Sequence, residues 1–275
     1  MKVLQIGKYF YPHFGGIETF LYDLCDELKD KVELKVVVAN EKFKTEKEII
    51  NGIEVNRIGK VIKIASTSIC PLFPYYIGKY KPDVVHIHFP NPLGEISYFL
   101  SNVSMKSRGN KSSGCKLIVS YHSDIVKQKS LLKIYTPLIE KLLKRADCII
   151  VHSENYMRSS PFLKNYQLKC RVVPIGIDIR KFSITDNTKI IMERIKQKVS
   201  SRFILFIGRL VYYKGLPYLI DAMTDVDTQL VVIGSGPLEK ELKKKVSRKF
   251  LNDKILFTGR VSEEEKIAYL HLCEL

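Results

Sequence analysis

The sequence lacks the features that define several large classes of protein. It has no run of about 18 apolar residues, the length that a membrane-spanning helix requires. The segment from Met1 to Gly7 has no apolar stretch long enough for a signal peptide. The six cysteines are scattered and form no Cys-x-x-Cys pair, a pattern that favours reduced thiols over disulfides or a zinc site. We therefore expect a cytoplasmic protein without a metal centre.

Signatures of nucleic-acid and dinucleotide binding are also missing. The sequence has no zinc-finger, RNP-type or KH-type pattern. It has neither the Gly-x-Gly-x-x-Gly fingerprint of dinucleotide-binding folds nor the Gly-Lys-Ser/Thr of a P-loop. We therefore expect no nucleic-acid partner, and any phosphate site must use a different arrangement of residues.

Negative charge is scarce. The 275 residues include 45 Lys and Arg against 29 Asp and Glu, a formal net charge of +16. The surplus lies mainly before residue 186, and residues 101–150 hold ten basic and three acidic side chains. Such a surplus predicts an anionic partner, either a membrane surface or a phosphorylated substrate. A basic face that is only solvated is the alternative, and both interpretations stay open here.

Short apolar runs rich in Val and Ile recur along the chain and alternate with segments of helical spacing. Continuous runs of this length are typical of parallel strands buried on both faces, and strands that alternate with helices predict an α/β fold. The first series of predicted strands is Val3–Gly7, Leu34–Ala39, Val84–His88, Leu117–His122, Ile149–Ser153 and Val172–Gly176.

A second series follows a polar, helix-prone stretch. Its predicted strands are Phe203–Gly208, Leu230–Gly234 and Ile255–Gly259, each ending in glycine. We therefore predict a Rossmann-like N-terminal domain over residues 1–182, a linker over 183–200 and a partial second domain over 201–275.

Glycines and cations follow the predicted strands. Gly15 and Gly16 lie where the first amphipathic helix starts, and a helix N-terminus offers free N–H groups to a phosphate. Arg209 follows the first strand of the second series, with Lys214 close behind. Such a pair can converge on one diphosphate, although two solvated surface cations are the plain alternative. Further glycine-rich turns end the next two strands, at Gly234-Ser235-Gly236-Pro237 and Gly259-Arg260-Val261.

As an ordered set, these segments resemble the retaining glycosyltransferases of family 4, which have the GT-B architecture. The stretches that carry the resemblance are Gly15-Gly16, Asp83–His88, Tyr121–Asp124, Val173–Asp178, Gly208-Arg209-Leu210, Lys214-Gly215, Gly234–Pro237 and Phe257–Gly259. The resemblance implies a GT-B-like α/β fold of two Rossmann-like parallel-sheet domains, the second incomplete in this chain.

The resemblance also implies roles for individual residues. His122, Arg209 and Lys214 are expected to be catalytic: His122 beside the transferring sugar, Arg209 and Lys214 on the departing diphosphate. A strand-end histidine that bonds a loop carbonyl is the alternative for His122. The expected donor-binding residues are Gly15, Gly16, Gly234, Gly236, Arg260 and Val261. No metal ligands or cofactor are expected. His86 and His88 alternate on a strand without a third ligand, so we interpret them as structural or pocket-lining.

The expected activity is transfer of a hexose from a nucleotide sugar to a saccharide or lipid-linked saccharide, with retention, in surface polysaccharide synthesis. The family carries a pair of glutamates beyond the point where this sequence stops, so we expect a truncated chain. A catalytically inactive remnant that binds the acceptor or a membrane is the competing interpretation. The predicted helix from Lys127 to Arg145 carries basic residues beside an apolar stripe, which would suit an anionic surface at the inner face of the plasma membrane.

Overall fold

The computed structural model describes residues 1–13, 15–64, 67–101, 114–125 and 129–275, without the side chains of residues 64 and 129–131. The chain divides into two compact units, unit 1 (Met1–Gly176) and unit 2 (Ile177–Leu275). The boundary lies earlier than the predicted one because the turn at Ile179–Phe182 belongs to unit 2, where Nε2 of His271 donates to the Phe182 carbonyl over 2.7 Å.

Residues 183–200, expected to be a linker, carry a packed helix instead. This helix spans Asp186–Lys196 and starts at Thr185, whose hydroxyl accepts from the backbone N–H of Thr188. Ile195 is buried against Ala268, so the apolar side of the segment belongs to the core of unit 2.

A mostly parallel sheet forms the centre of unit 1. In the described part of this unit, its order is β10-β9-β8-β7-β1-β2-β4-β3, and only β3 runs antiparallel to its neighbour. A separate hairpin, β5–β6, lies outside the sheet. The strands are β1 (Lys2–Ile6), β2 (Glu33–Ala39), β3 (Glu46–Ile50), β4 (Ile53–Ile58), β5 (Ile62–Ile64), β6 (Thr67–Ile69), β7 (Val84–Phe89), β8 (Lys116–Tyr121), β9 (Cys148–Val151) and β10 (Cys170–Val172).

Helices cover both faces of this sheet. They are α1 (Gly16–Leu28), α2 (Phe73–Tyr80), α3 (Pro92–Leu100), α4 (Lys129–Arg145) and α5 (Glu154–Ser159). Val3 of β1 packs with Leu21 of α1 on one face, whereas Leu4 and Ile6 belong to a larger cluster on the other face. Burial on both faces is what continuous apolar runs predict, and it forms the main driving force for folding this unit.

One predicted strand is wrong. The run Val172–Gly176 was expected to be a strand, but β10 ends at Val172 and the following residues have no regular structure. Val173 and Ile175 are about half exposed, so their apolar character does not reflect burial in the sheet.

Unit 2 has a smaller parallel sheet, ordered β11-β12-β13. Its strands are β11 (Phe203–Ile207), β12 (Gln229–Ile233) and β13 (Ile255–Gly259), and its helices are α6 (Asp186–Lys196), α7 (Leu216–Ala222), α8 (Glu239–Arg248) and α9 (Glu263–Leu272). Core clusters lie on both faces of this sheet. Among the residues described for the two units, no helix is long and apolar enough to cross a membrane.

Candidate active site

The carboxyl ends of β1, β7, β8 and β9 meet at one edge of the sheet in unit 1. Open α/β sheets bind ligands at this edge because the loops and helix N-termini that follow the strands converge there. The edge carries the loop before α1, His122 directly after β8 and His152 directly after β9. The structure therefore brings together residues that are far apart in the chain.

Helix α1 begins at the predicted glycine pair. Gly15 is the N-cap, with extended backbone, and its carbonyl accepts from Thr19 N–H over 2.9 Å. No described side chain caps the first N–H groups of the helix, so they remain free for an anion. A Cβ at Gly16 would meet nothing within 4 Å, whereas a Cβ at Gly15 would collide with the side chain of Glu18. A carboxylate thus lies over one of the two glycines proposed to meet a phosphate.

His122 sits in a tightly held turn. Its backbone N–H donates to the Phe89 carbonyl over 3.1 Å, which continues the β7–β8 pairing by one residue. Asp124 stabilises the turn, because its Oδ1 accepts hydrogen bonds from Tyr121 Oη and from Ser160 Oγ, each over 2.8 Å. Phe20 of α1 presents its ring edge-on to His122, with the two centroids 5.1 Å apart. These contacts position the histidine beside the start of α1.

The side chain of His122 lies in the middle of a hydrogen-bonded series of histidines. Its Nε2 is 3.1 Å from Nδ1 of His88, and its Nδ1 is 3.1 Å from Nε2 of His152. Beyond them, His88 Nε2 lies 3.0 Å from Oε1 of Gln5, and His152 Nδ1 lies 3.0 Å from the carbonyl oxygen of Val173. We call these four side chains, Gln5, His88, His122 and His152, the histidine chain.

Burial favours the neutral form of His122 and His88. It lowers the pKa of His122 to about 4, with a further contribution from neighbouring His152. The pKa of His88 lies well below its ordinary value for the same reason, reinforced by the three other histidines nearby. His86, whose Nε2 lies 2.8 Å from Ser120 Oγ, has a pKa lowered to about 3. In the described residues, no group of three or more His, Cys, Asp or Glu is arranged to hold a metal ion.

In unit 2, Arg209 and Lys214 lie at the carboxyl end of β11. Both side chains are exposed, and neither forms a hydrogen bond or ion pair with the described residues. The aliphatic stem of Lys214 lies close to Gly208. A Cβ added at that glycine would be 3.9 Å from Lys214 Cδ. Gly215 follows with φ of 71°, a conformation that glycine adopts without strain, and thereby starts α7. Both cations therefore lie at the carboxyl end of β11 and are exposed to an anion.

Gly234 and Gly236 have a structural role in the loop after β12. A Cβ at Gly236 would come within 3.0 Å of three backbone atoms of Leu210, and one at Gly234 would collide with the Gly208 carbonyl. Gly234 also has φ of 135°. The Ser235 carbonyl accepts from Leu210 N–H over 3.1 Å. The absence of side chains thus lets two strand-end loops pack backbone to backbone, which explains these glycines without a ligand.

Arg260 and Val261 follow β13 at the same edge. Arg260 is exposed and reaches the loop after β12, whereas Val261 packs against the core cluster that includes Ile233 and Tyr269. The side chain of Val261 is therefore partly taken up by the core of unit 2.

Within unit 1 the structure groups Gly15, Gly16 and His122, and within unit 2 it groups Arg209, Lys214, Gly234, Gly236, Arg260 and Val261. Sequence reasoning missed His152, Gln5 and Phe20, and it assigned His88 only a structural or lining role. A signal for His152 was present, since it follows β9 as His122 follows β8.

Comparison with known proteins identifies the family. Residues 14–181 match the sequence profile of Glycosyltransferase Family 4, and residues 187–275 match that of Glycosyl transferases group 1. The chain belongs to glycosyltransferase family 4. The predicted resemblance is therefore confirmed, and by ancestry the chain is a hexosyltransferase.

The chain is similar to two bacterial enzymes over nearly its whole length. It is 33% identical to an O-antigen chain mannosyltransferase of Escherichia coli, over 99% of this chain and 71% of that protein. It is also 33% identical to a D-rhamnosyltransferase of Pseudomonas aeruginosa, over 99% of this chain and 69% of that protein.

Solved structures confirm the GT-B-like fold. Anabaena HepE in complex with UDP-glucose aligns with a TM-score of 0.74 at 15% identity, over all of this chain and 72% of that one. A sucrose-phosphate synthase from Thermosynechococcus elongatus aligns with a TM-score of 0.73 at 18% identity, over 98% of this chain and 74% of that one. At these identities the likeness establishes the fold alone.

Proposed function

We propose that this glycosyltransferase moves a hexose from a nucleotide sugar onto the growing saccharide of an O-antigen-type surface polysaccharide. The observation that carries the proposal is the 33% identity, across 99% of the chain, to an O-antigen chain mannosyltransferase. Because the second relative is a D-rhamnosyltransferase, the transferred sugar is a hexose of the mannose kind or its 6-deoxy counterpart.

The cations of unit 2 act on the leaving group. As the glycosidic bond of the donor breaks, negative charge develops on the diphosphate oxygens, and fixed positive groups stabilise that charge. Arg209 and Lys214 suit this role because both follow β11, are exposed and are unpaired among the described residues. Arginine offers a planar fork, and lysine a mobile point charge. Two cations of this kind supply the neutralisation that other enzymes obtain from a metal ion, so we propose a reaction that needs no metal.

In unit 1, the start of α1 and His122 act on the donor. The uncapped N–H groups after Gly15 offer a partial positive charge to a phosphate oxygen, provided that Glu18 moves aside. His122, held neutral by burial, lines the sugar site as an uncharged polar side chain rather than as a cation. Arg260 and the backbone of Val261 contribute to binding the nucleoside.

We propose retention of configuration at the anomeric carbon. In that course the acceptor hydroxyl attacks from the face that the diphosphate leaves, and a leaving-group oxygen takes the hydroxyl proton. No pair of carboxylates of the glycosidase kind is then required.

A lipid-linked acceptor would place the enzyme at the inner face of a membrane. Helix α4 supports this proposal: Ile139, Leu142 and Leu143 are buried in the core, while Lys133, Lys141 and Lys144 are exposed. Ile134, 80% exposed, adds an apolar contact beside them. Lys127 lies outside the described residues, as does the side chain of Lys129.

A donor panel tests the function. Purified chain is incubated with GDP-mannose, GDP-D-rhamnose or UDP-glucose and a lipid-linked saccharide acceptor, with and without EDTA. We expect transfer from one donor, unaffected by EDTA, with an α product from an α-linked donor as determined by NMR. R209A and K214A should reduce kcat by 10²-fold or more, on the order of an oxyanion-hole deletion. K196A, which removes an exposed lysine paired with Glu193, is the matched control.

Two outcomes contradict the proposal. Inversion at the anomeric carbon refutes the proposed retention. Absence of both transfer and donor hydrolysis, with acceptor binding intact, favours a binding module over an enzyme.

A further inference from the structure

The histidine chain ends on a backbone carbonyl, and this end fixes the direction of its hydrogen bonds. The Val173 oxygen can only accept, so Nδ1 of His152 must carry the proton. Nε2 of a neutral His152 then accepts from Nδ1–H of His122, and Nε2 of His122 in turn accepts from Nδ1–H of His88. Each neutral imidazole has one N–H, so every ring in the series carries its proton on Nδ1.

The other end of the series is Gln5 on the central strand β1. With Oε1 facing His88 Nε2, both ends of the series accept, and three imidazoles must then supply four protons. One of the three rings would then be an imidazolium, a form that burial disfavours at His88 and His122. In that orientation Nε2 of Gln5 is also buried without a partner among the described residues.

Rotation of the Gln5 amide by 180° removes both problems. Its Nε2 then donates to Nε2 of His88, and three neutral imidazoles supply the remaining three bonds. The amide oxygen takes the position without a partner, which is better tolerated for a carbonyl than for an N–H.

We propose that Gln5, His88 and His152 are positioning residues that hold His122 in its neutral Nδ1–H form, with hydrogen bonds running from Gln5 to the Val173 carbonyl. Phe20 of α1 packs against the histidine chain, with its ring centroid 5.9 Å from that of His88 and 5.2 Å from that of His152. His86 is a further titratable neighbour, 4.5 Å from His88 between ring centroids. The consequence for transfer rests on the proposed function, because only there does His122 meet the donor sugar.

In this arrangement both ring nitrogens of His122 are already bonded. His122 therefore presents a fixed ring to the donor, and a sugar hydroxyl that seeks one of its nitrogens must displace His152, the more exposed of its two partners. Removing His152 frees the outer end of the chain. Gln5 can then turn its oxygen to His88, and the protons of His88 and His122 move to Nε2 while both rings stay neutral.

Nitrogen-15 NMR of histidine-labelled, ligand-free protein at pH 7.5 tests this directly. We expect a protonated Nδ1 and an unprotonated Nε2 for His88, His122 and His152, with assignments from single substitutions. In H152F, His122 should shift to Nε2–H or to a mixture of both forms. In H152Q, the amide can accept from His122 and donate to Val173, so His122 should keep Nδ1–H. H271F removes a histidine that bonds a carbonyl in unit 2 and should change only its own signals.

Kinetics provide the second readout. H152F should reduce kcat about tenfold, the effect of one lost hydrogen bond, with less change in donor KM, and H152Q should restore most of the loss. Nε2–H on His122 in the unsubstituted protein, or an imidazolium in the chain at pH 7.5, overturns the proposal. Because the NMR measurement needs no turnover, failure of the proposed transferase activity would leave it decidable.

Discussion

Nε of Arg260 donates a hydrogen bond to Oγ of Ser235 over 3.0 Å. The bond ties the loop after β13 to the loop after β12, although Arg260 is exposed and the two residues belong to different turns. It turns the guanidinium toward the loop that holds Ser235, and its other nitrogens have no partner among the described residues. A surface cation held in this way costs less entropy to use than an untethered one.

This bond predicts a binding role for Arg260. R260A should raise donor KM about tenfold with a smaller change in kcat, because the loss affects donor binding more than bond cleavage. R260K keeps the positive charge but lacks the planar guanidinium. Its donor KM should lie between those of R260A and the unsubstituted protein. Steady-state kinetics with varied donor concentration measure the effect.

R202A is the matched control for Arg260. Arg202 is also an exposed arginine of unit 2, but its Nε pairs with Glu274 over 2.6 Å. Equal KM changes in R260A and R202A would refute a specific role for Arg260.

Replacing Gly236 with alanine should destabilise unit 2. The added Cβ comes within 3.0 Å of Leu210 backbone atoms, which cannot rotate away as a side chain would. Overpacking of this kind typically costs about 1–3 kcal/mol. G176A, where an added Cβ meets nothing within 4 Å, should leave stability nearly unchanged. Urea denaturation of both variants measures the difference, and equal midpoints would contradict the structural role.

Glu95 should make unit 1 less stable as pH rises. Its carboxylate is fully buried, accepts from Asn91 N–H over 2.8 Å and bonds the Tyr135 hydroxyl. Burial raises its pKa from 4.5 to about 7. The folded state therefore retains a proton that the unfolded state has released, and the group's stabilisation is fully present below pH 4.5 and lost as pH rises through 7.

E95Q should flatten that dependence, because an amide cannot ionise. The unfolding free energy of the unsubstituted protein should fall relative to E95Q between pH 5 and 8, by an amount on the order of 3 kcal/mol. Urea titrations at several pH values measure it. Parallel pH profiles for the two proteins would show that Glu95 is not the group responsible.

Charge reversal on α4 tests the proposed membrane contact. K133E/K141E should weaken binding to vesicles that contain anionic lipid by about 1 kcal/mol or more per residue, and raised salt should weaken binding of the unsubstituted protein. K189E/K196E changes two exposed lysines of α6 and serves as the control. Cosedimentation gives the affinity. Equal losses in both double variants would indicate that net charge, rather than the α4 surface, determines binding.

Sequence periodicity predicts the parallel framework well because burial on both faces requires continuous apolar strands. Periodicity is less informative for strands in which apolar and polar residues alternate. The hairpin of β3 and β4 was missed although Asn51 and Gly52, with φ of 48° and 80°, form the kind of turn that favours antiparallel pairing. The run at Val172–Gly176 was misjudged because apolar character alone does not distinguish a strand from an exposed segment.

For the candidate site, sequence identifies residue types at strand ends but not their partners. His122 and His152 both follow strands, yet their contact depends on β8 and β9 being neighbours in the sheet. Likewise, Gly236 has the same sequence signal whether it serves a ligand or the Leu210 backbone, and only the packing separates the two. The roles of the predicted site residues in transfer stay predictions.

The two outer strands of the large sheet limit unwanted association. At one border, β10 has three residues, too few to template a long partner strand. At the other, β3 carries the charged residues Glu46, Lys47 and Glu48, and Glu48 pairs with Arg57 of the adjacent strand. A strand from another molecule could pair with β3 only if these charged side chains lost part of their hydration. The parallel sheet of this unit is thereby protected at both borders against aggregation.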